Sequence, residues 1–192
     1  MIGVEYFRDR DSLSVAKSIL GMHLCTKING VLTTGLIVET EAYGGNNDRA
    51  SHAHQRRTAR TEPMFCSGGT IYVYLCYGIH FLFNIATNKK NRPETVLIRA
   101  IEPLIGLDTM IDRNVSNINL KSIGSGPGRL TKALGISMSL SGSLLGRDVW
   151  IEKGQQKNID IETSGRIGID YAGNDAKLQW RFYIQNNPWV SK

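Results

Sequence analysis

The sequence is poor in cysteine and has no paired-cysteine motif. Its three cysteines are Cys25, Cys66 and Cys76, and no two of them form a C-x-x-C pair. Three thiols cannot all be joined to one another, and disulfides are rare in reducing compartments. We therefore interpret the thiols as reduced and expect a cytoplasmic protein rather than a disulfide-stapled secreted domain.

Long hydrophobic runs and targeting segments are also missing. No apolar stretch of the sequence reaches the roughly 18 residues that suggest a membrane span. The charged start, MIGVEYFRDRDS, lacks the apolar segment of a signal peptide, so we expect no secretion signal and no membrane partner. Without repeats or low-complexity linkers, the 192 residues predict a single domain over residues 1–192.

Acidic residues are outnumbered by basic ones. The chain has 17 Asp and Glu against 23 Lys and Arg, which gives a net charge of +6 and a sequence pI near 9.3. Its 41% hydrophobic and 21% charged residues are typical of a globular protein and exclude a disordered one. The positive surplus favours an anionic partner, with nucleic acid as the first candidate.

The stretch from Gly35 to Tyr43, GLIVETEAY, is the most informative part of the chain. Strand periodicity predicts four side chains on one face, namely Ile37, Glu39, Glu41 and Tyr43. Strands usually avoid glutamate, and burying two carboxylates is costly unless they are paired or used chemically. An exposed strand face, a buried ion pair and a reactive site are therefore all open for this stretch alone.

The remaining pattern predicts a mostly antiparallel sheet with a few helices, which is an α+β fold. The Asn29-Gly30 turn predicts that the Glu41 strand is the second arm of a hairpin. Strands are predicted at residues 22–28, 31–43, 95–104, 149–153, 159–162, 166–169 and 178–185, and as a pair within 70–87 that is broken at Tyr77-Gly78. Helices are predicted at residues 12–20, with Asp11 as N-cap, at 105–113, and between Gly126 and Gly135, with a polar loop at 115–125.

A long loop from Gly44 to Gly69 is rich in basic side chains and has little apolar patterning. Those side chains are Arg49, His52, His54, Arg56, Arg57 and Arg60. Loops of this length are often functional. Two interpretations are therefore open: a basic loop that is solvated, and a loop that contacts phosphate groups. His52 and His54 could suggest a metal, but no third ligand follows at a recognisable spacing, so we expect no metal site.

Three other features need an explanation. Arg99 stands between two apolar residues of a strand, where a guanidinium usually needs a carboxylate or phosphate partner. Tyr77 lies at a hairpin tip, where its ring is costly to expose unless it inserts into something, whereas Tyr72 is interpreted as an ordinary core residue. Residues 124–129, GSGPGR, stand at the start of a predicted helix and are consistent with either a phosphate-binding turn or a plain turn. They lack the G-K-[ST] ending and so are not a P-loop.

Taken in order, the motifs resemble one known family. They are VETEAY at 38–43, an A-S-H segment that ends at His52, MF at 64–65, GTIYVYLCYGIHFLFNIA at 69–86, VLIRAIEPL at 96–104, SGPGRLTKALGI at 125–136, RFY at 181–183 and NPWVS at 187–191. The ordered set resembles the alkyladenine (3-methyladenine) DNA glycosylase family, in its compact form. The resemblance runs from Tyr6 to Ser191.

The resemblance implies a single domain with a curved, mostly antiparallel sheet, flanking helices and a protruding β-hairpin that inserts into the DNA minor groove. It implies an enzyme that flips damaged purines out of duplex DNA and hydrolyses the N-glycosidic bond, starting base excision repair without a cofactor. The expected substrates are 3-methyladenine and 7-methylguanine, with hypoxanthine and ethenoadenine left open. We expect a monomer that binds double-stranded DNA, nucleoid-associated if the protein is bacterial.

The resemblance also implies roles for individual residues. Glu41 matches the general base that activates a water, and Arg99 matches the arginine that holds the flipped nucleotide and the water. The walls that contact the flipped base match Tyr43, His52 and Tyr74. Asn84 matches a pocket-floor residue that excludes guanine, and Tyr77 matches the residue that fills the hole left by the base.

Other assignments rest on charge and position. The expected DNA backbone contacts are Arg56, Arg57, Lys89, Lys90 and Arg129. Glu39 is interpreted as structural and paired with an arginine, and the contacts of His80 stay open. Two other functions are weighed: a binding module without catalysis, which would not need a carboxylate near phosphate, and a metal-dependent hydrolase that would use His52 and His54 with Glu41.

Overall fold

The computed structural model describes residues 1–114, 119–154 and 159–191. Its strands are β1 His23–Ile28, β2 Val31–Tyr43, β3 Ile71–Cys76, β4 His80–Thr87, β5 Glu94–Ile105, β6 Val149–Glu152, β7 Ile161–Ser164 and β8 Arg181–Ile184. Its α-helices are α1 Glu5–Arg8, α2 Ser12–Ser18, α3 Leu107–Asn114 and α4 Pro127–Leu134. No helix among these residues is long and apolar enough to cross a membrane.

The strands form one antiparallel sheet with flanking helices, so the predicted α+β class is confirmed. The order across the sheet is β3-β4-β5-β2-β1-β6, and β8 joins β2 with β7 outside it. The long strand β2 pairs with β5 along one edge and shares its other edge between β1 and β8. Three neighbours therefore enclose β2, which makes it the centre of the fold.

The turn residues determine the backbone geometry of two hairpins, β1–β2 and β3–β4. Asn29 and Gly30 both have positive φ, of 53° and 81°, as the predicted type I′ turn requires. Tyr77 and Gly78 repeat this geometry between β3 and β4, with φ of 49° and 73°. A bulky residue rarely adopts positive φ, so the backbone at Tyr77 is under constraint at an exposed tip.

Helices α2 and α4 cover one face of the sheet and bury the main core. Asp11 caps α2, as predicted, because its carboxylate accepts a hydrogen bond from Ser14 N at 2.8 Å. The core side chains include Ala16 and Ile19 from α2 and Leu130 and Leu134 from α4. The opposite face of the sheet carries the polar groups described in the next section.

Three register shifts interrupt the pairing of β2 with β5, and the two on either side of Glu39 are β-bulges that compensate each other. The paired residues are Ile37 with Ile101, Glu39 with Ala100, and Thr40 with Ile98. Val38 is therefore an extra residue in β2 and Arg99 an extra residue in β5. Bulges of this kind re-aim side chains and are common next to active sites.

Because of the bulge at Val38, the side chains of β2 do not all lie on the faces that simple alternation predicts. Ile37 packs into the main core, whereas Val38 packs with Leu36 in a separate cluster on the other side. Thr40 turns back to the α2 side and donates to Ala16 O at 2.9 Å. The prediction that Ile37 shares a face with Glu39 and Glu41 was wrong, because the extra residue inverts the alternation between them.

Residues 166–169 were predicted as a strand, and this was wrong. The segment is irregular because its polar groups bond to side chains rather than to a neighbouring strand. Ile167 N donates to the Glu41 carboxylate at 2.8 Å, and the Arg166 guanidinium binds Asp48. Of the predicted polar loop at 115–125, residues 115–118 lie outside the described residues, and a short 3₁₀ turn occupies Leu120–Ser122.

The close approach of Gly124 to β5 generates a stability prediction. A Cβ at this position would stand 2.1 Å from the backbone oxygen of Ile101. Because a backbone atom cannot move aside cheaply, we expect Gly124→Ala to lower the free energy of unfolding by about 1–3 kcal/mol, measured by urea denaturation. Gly165→Ala is the matched control, since its nearest contact would be an ordinary 3.6 Å. Equal unfolding midpoints for the two variants would contradict this account.

Candidate active site

A cleft of about 1220 Å³ opens on the polar face of the sheet. Its walls come from β2 to β5, from the start of α4 and from the segments around residues 167–171 and 188–191. The predicted site residues that line it are Tyr43, His52, Tyr74, Tyr77, Asn84, Arg99 and Arg129. Residues from distant parts of the sequence are thus brought around one cavity large enough for a nucleotide.

Glu41 lies directly behind this lining and has no exposed surface. Its Oε1 accepts a hydrogen bond from Ile167 N at 2.8 Å and lies 3.2 Å from Nη1 of Arg99. Its Oε2 accepts from the Tyr43 hydroxyl at 2.8 Å. All three partners line the cleft, so one layer of groups separates the carboxylate from the cavity.

Tyr43 is held as a neutral donor. Burial, followed by the neighbouring Glu41 carboxylate, raises its pKa well above the ordinary value. The phenol therefore keeps its proton at neutral pH and supplies it to the hydrogen bond with Oε2. The guanidinium of Arg166 lies 4.8 Å from the centroid of the Tyr43 ring and fixes its other side.

Arg99 connects the two carboxylates of β2. Its Nε donates to Oε1 of Glu39 at 2.9 Å, while Nη1 forms the ion pair with Glu41. Burial alone would lower the pKa of Arg99, but Glu41 and Glu39 more than offset this and raise it. The expectation that this buried guanidinium needs a carboxylate partner is confirmed, with two partners instead of one.

Glu39 is fully buried and paired with arginines, as interpreted from the sequence. Besides Arg99, it accepts a hydrogen bond from Nε of Arg181 at 2.6 Å. Ser191 completes its shell, with the backbone N at 2.7 Å from Oε2 and the hydroxyl at 2.9 Å from Oε1. Such a shell offsets the desolvation of a buried carboxylate.

Three aromatic rings build one wall of the cleft. His52 packs edge-on against Tyr74, with ring centroids 4.6 Å apart, and Tyr74 stacks on Tyr72 at 5.4 Å. The Tyr72 hydroxyl lies 2.9 Å from Nδ1 of His52. Tyr72 is a core residue, as predicted, but it also lines the cleft and holds His52 in place.

The charge state of this wall follows from its surroundings. Partial burial, followed by the nearby Arg60 guanidinium, lowers the pKa of His52 to about 4, so its ring is neutral at pH 7. Burial is the main cause that raises the pKa of Tyr72 to about 12, and it also raises the pKa of Tyr74. The wall is therefore uncharged and suited to a flat, stacked ligand.

Asn84 lies on β4 at the floor of the cleft and is buried. Its side-chain amide donates to the backbone oxygen of Tyr72 at 3.3 Å. The amide is thereby fixed against the aromatic wall rather than free to turn away from a ligand.

The β3–β4 hairpin forms an exposed apolar tip at the rim of the cleft. Tyr77 is 88% exposed, Ile79 is 72% exposed and Leu75 is 44% exposed. His80 packs on Gly128 at the start of α4, where a Cβ would stand 2.7 Å from the imidazole. The tip and the first turn of α4 thus face each other across the rim, which explains why residue 128 is a glycine.

The predicted phosphate contacts divide into two groups. Arg129 lies at the cleft rim, and Arg56 lines a second, adjoining cavity of about 650 Å³ together with Arg49, His54 and Arg60. Lys89 and Lys90 follow the other end of β4, roughly 23 Å from its start at about 3.3 Å per residue. The structure does not bring these two lysines to the cleft.

Arg57 is engaged elsewhere in the loop. Its guanidinium pairs with Glu62, donates to Asn91 at 3.0 Å and lies 4.9 Å from the centroid of the Phe65 ring. These contacts attach the basic loop to the β4–β5 connection, and they engage the Arg57 guanidinium with partners inside the protein.

Sequence reasoning missed the buried pair between Arg166 and Asp48. Arg166 Nη2 donates to Asp48 Oδ1 at 2.8 Å, and Nη1 donates to Ala42 O at 3.0 Å. Burial alone would lower the pKa of Arg166, but Asp48 raises it. This pair anchors the segment at Arg166, and the next residue, Ile167, bonds to Glu41. Arg166 and Asp48 lie 118 residues apart, so no local sequence motif predicts their pairing.

Metal binding has no structural support among residues 1–114, 119–154 and 159–191. In that part of the chain, no group of three or more His, Cys, Asp or Glu side chains is placed to hold a metal ion. Nδ1 of His54 bonds to Asn46 O at 2.7 Å, and His52 bonds to Tyr72.

Comparisons with known proteins point to one family. Residues 6–188 match the family model described as methylpurine-DNA glycosylase. A protein of Natranaerobius thermophilus is 43% identical over 97% of this chain and 96% of its own length. Proteins of Clostridium acetobutylicum and Desulfitobacterium hafniense are 39% and 38% identical over 98% and 99% of this chain. All three relatives carry the name "Putative 3-methyladenine DNA glycosylase".

The neutral state of His52 can be tested directly. Burial is the main cause that lowers the pKa of His52 from its ordinary 6.5 to about 4, and the Arg60 guanidinium is the charged neighbour that adds to it, so we expect Arg60→Gln to raise this pKa. An NMR titration of the imidazole protons measures the change. Arg49→Gln removes the same charge from the adjoining cavity and serves as control. A pKa of His52 that rises equally in both variants, or in neither, would contradict this explanation.

Proposed function

The chain belongs to the methylpurine-DNA glycosylase family, and we propose that it flips damaged purines out of duplex DNA and hydrolyses their N-glycosidic bond. The family marks it as an enzyme, a DNA N-glycosylase. The observation that carries the detailed proposal is the Glu41–Arg99 pair, which lies one layer behind an aromatic-walled cleft. A binding module without catalysis has no use for this pair, because burying it costs desolvation energy.

Base flipping is supported by the shape of the cleft and its rim. The stack of Tyr74 on Tyr72, closed by His52, offers an uncharged surface for an extruded base, and stacking there recovers part of the energy lost on unpairing. Tyr77 is the most exposed large ring of the hairpin tip. We propose that it fills the space that the flipped base leaves in the duplex.

Glu41 is the proposed general base. Among the described residues, its Oε2 accepts a hydrogen bond from Tyr43 only, which leaves a lone pair for a water. The water would attack C1′ of the deoxyribose as the base departs. Glycoside cleavage passes through an oxocarbenium-like state, and the negative charge of Glu41 stabilises it while accepting the water's proton.

Cationic lesions fit this site best. A 3-methyl- or 7-methylpurine already carries positive charge and leaves without protonation, whereas hypoxanthine or ethenoadenine needs an added proton. His52, with a pKa of about 4, is neutral at pH 7 and holds no spare proton for that purpose. We therefore propose methylated purines as the main substrates.

The reaction stops at hydrolysis in this proposal. Among the described residues, the lining of the cleft contains no lysine that could form a Schiff base with the sugar. The activity is then that of a monofunctional glycosylase, which releases the base and leaves the abasic strand intact. It uses no cofactor.

Asn84 is the proposed selectivity group. Its hydrogen bond to Tyr72 O holds the amide at the cleft floor, so it cannot move away from a bulky substituent. An undamaged guanine brings a 2-amino group that adenine-type lesions lack, and a fixed neighbour disfavours it sterically. 7-Methylguanine carries the same group, but its cationic base leaves readily, so we expect it to be released in spite of this contact.

Phosphate binding is assigned to the positive groups around the cleft. We propose Arg129 on one rim and Arg56, with its neighbour Arg60, on the other. The placement of Lys89 and Lys90 makes them outer contacts at most, and Arg57 positions the loop. The chain is proposed to act as a monomer on double-stranded DNA in the cytoplasm.

The first test replaces the proposed base. Glu41→Gln keeps the size of the side chain but removes the charge that accepts a proton, so we expect base release to fall by about 10²–10⁴-fold. Single-turnover excision from a duplex with one methylated purine measures the rate, and fluorescence anisotropy measures the affinity, which should change only a few-fold. Glu152→Gln, which removes the same charge from β6, is the control.

Excision by Glu41→Gln within a few-fold of the wild-type rate would refute the role of Glu41. Loss of both excision and binding, with Glu152→Gln unaffected, would show instead that Glu41 is needed to fold the cleft.

Binding should also depend on salt. Each phosphate neutralised by a basic side chain contributes about −0.9 to the slope of log K against log salt concentration. We expect Arg129→Gln to reduce the magnitude of this slope by about one such unit, measured by anisotropy between low and moderate salt. An unchanged slope would remove Arg129 from the phosphate contacts.

A further inference from the structure

Glu39 is buried beside the proposed base but does not touch the cleft. It lies two residues before Glu41 and shares the Arg99 guanidinium with it at 2.9 Å and 3.2 Å. A buried carboxylate next to another carboxylate carries an electrostatic cost, and hydrophobic residues could fill the same space. The presence of this second charge therefore needs a reason other than packing.

We propose that Glu39 is a positioning residue that sets both the orientation of Arg99 and the charge balance at Glu41, and that Arg181 and Ser191 hold it in this role. The inference rests on the proposed function of Glu41 as the base. It gives a role to Glu39, the first carboxylate of the VETEAY stretch, and to Ser191, the last described residue of the chain.

The orientation of Arg99 follows from its hydrogen bonds. Its Nε is bound by Glu39 and its Nη1 by Glu41, and its Nη2 lies 3.4 Å from the Ser191 hydroxyl. A guanidinium is planar, so contacts at all three nitrogens fix its rotation. The Arg99 bulge in β5 brings the side chain to this position, and Glu39 is the anchor on the side away from Glu41.

The charge balance follows from counting the buried groups. Glu39 and Glu41 provide two negative charges, and Arg99 and Arg181 provide two positive charges. Without Glu39, two guanidiniums would face one carboxylate. Glu41 would then bind a proton less readily and be a weaker base, and the surplus cation would repel both a methylated purine and the oxocarbenium-like sugar.

The segment at residues 187–191 becomes part of the site through Glu39. The backbone N and the hydroxyl of Ser191 both donate to Glu39, and Arg181 reaches back to Ser191 O at 3.0 Å. Trp189 and Val190 pack on the Leu36 and Val38 cluster beside the bulge. This packing keeps Ser191 in place, so the segment holds the Glu39 carboxylate in position.

Other charged or titratable groups also face Glu41. From β2, β3, β5, β8 and the loops around the site these are Glu39, Tyr43, Tyr74, Arg99, Arg181 and the Arg166–Asp48 pair. The two tyrosines have raised pKa values and stay neutral at the pH of the assay. Arg166 is already balanced by Asp48. Removing either Glu39 or Arg181 thus changes the net charge without touching the cleft wall formed by Tyr43 and Tyr74, and removing both leaves the net charge unchanged.

The test is the pH dependence of single-turnover excision of a cationic methylpurine at saturating enzyme. The acidic limb of that profile reports the loss of the deprotonated base. We expect Glu39→Gln to move the limb to lower pH by roughly one unit and to lower the plateau rate at least tenfold. Arg181→Gln removes the opposite charge and should move the limb to higher pH.

The double variant Glu39→Gln/Arg181→Gln separates charge from structure. It restores the balance between Arg99 and Glu41, so its acidic limb should return close to the wild-type position even though the rate stays low. A purely structural role for Glu39 predicts lower rates at every pH, no movement of the limb in any variant, and a double variant worse than either single one. That outcome would overturn the proposal.

Controls make the result decisive. Glu152→Gln removes a carboxylate from β6 and should leave the profile unchanged. Circular dichroism and thermal melting report folding, and if Glu39→Gln does not fold, Arg181→Gln decides: an upward shift of the limb supports the proposal, and an unmoved limb contradicts it. Failure of the wild-type protein to release any base would refute the proposed function itself, whereas wild-type excision with unmoved limbs would refute only the role of Glu39.

Discussion

The structure depends on how two buried carboxylates of β2 are paired with two guanidiniums from the neighbouring strands. Glu39 and Glu41 have no exposed surface, and neither could be left unpaired there without a large desolvation cost. Arg99 and Arg181 reach them from the strands on either side, and this requires β5 and β8 to flank β2 at the same level. The bulges, the position of β8 and the return of the chain to Ser191 all serve this one arrangement.

The cleft is the visible consequence of that buried network. Tyr43, Arg99 and Ile167 are partners of Glu41 and at the same time form the cavity surface. The Glu41 carboxylate is thereby held in one orientation by its partners, as electrostatic preorganisation requires of the proposed base. In the proposed function, the uncharged wall around His52 contacts the base and the exposed tip at Tyr77 contacts the duplex, without adding charge near the proposed reaction centre.

Local patterns predicted much of the fold, and long-range pairing supplied the rest. The Asn29-Gly30 turn and the apolar run after it were enough to place β2 with its observed bounds, because turn chemistry and alternation are local. The bulge at Val38 was not predictable, since it arises from pairing with β5. The Arg166–Asp48 pair and the irregular backbone at Ile167 were missed for the same reason. Most predicted site residues lie around one cleft, but their chemical roles stay predictions.

The most direct measurement is base release from three duplexes that carry a single 7-methylguanine, a single hypoxanthine or no lesion, with a chelator present. The account predicts release of the methylated base, which leaves as a cation, and slow or no release of hypoxanthine, because the neutral His52 supplies no proton. The undamaged duplex should stay intact. Tight binding to all three duplexes with no base released from any of them would contradict the account and leave a DNA-binding module on the glycosylase scaffold.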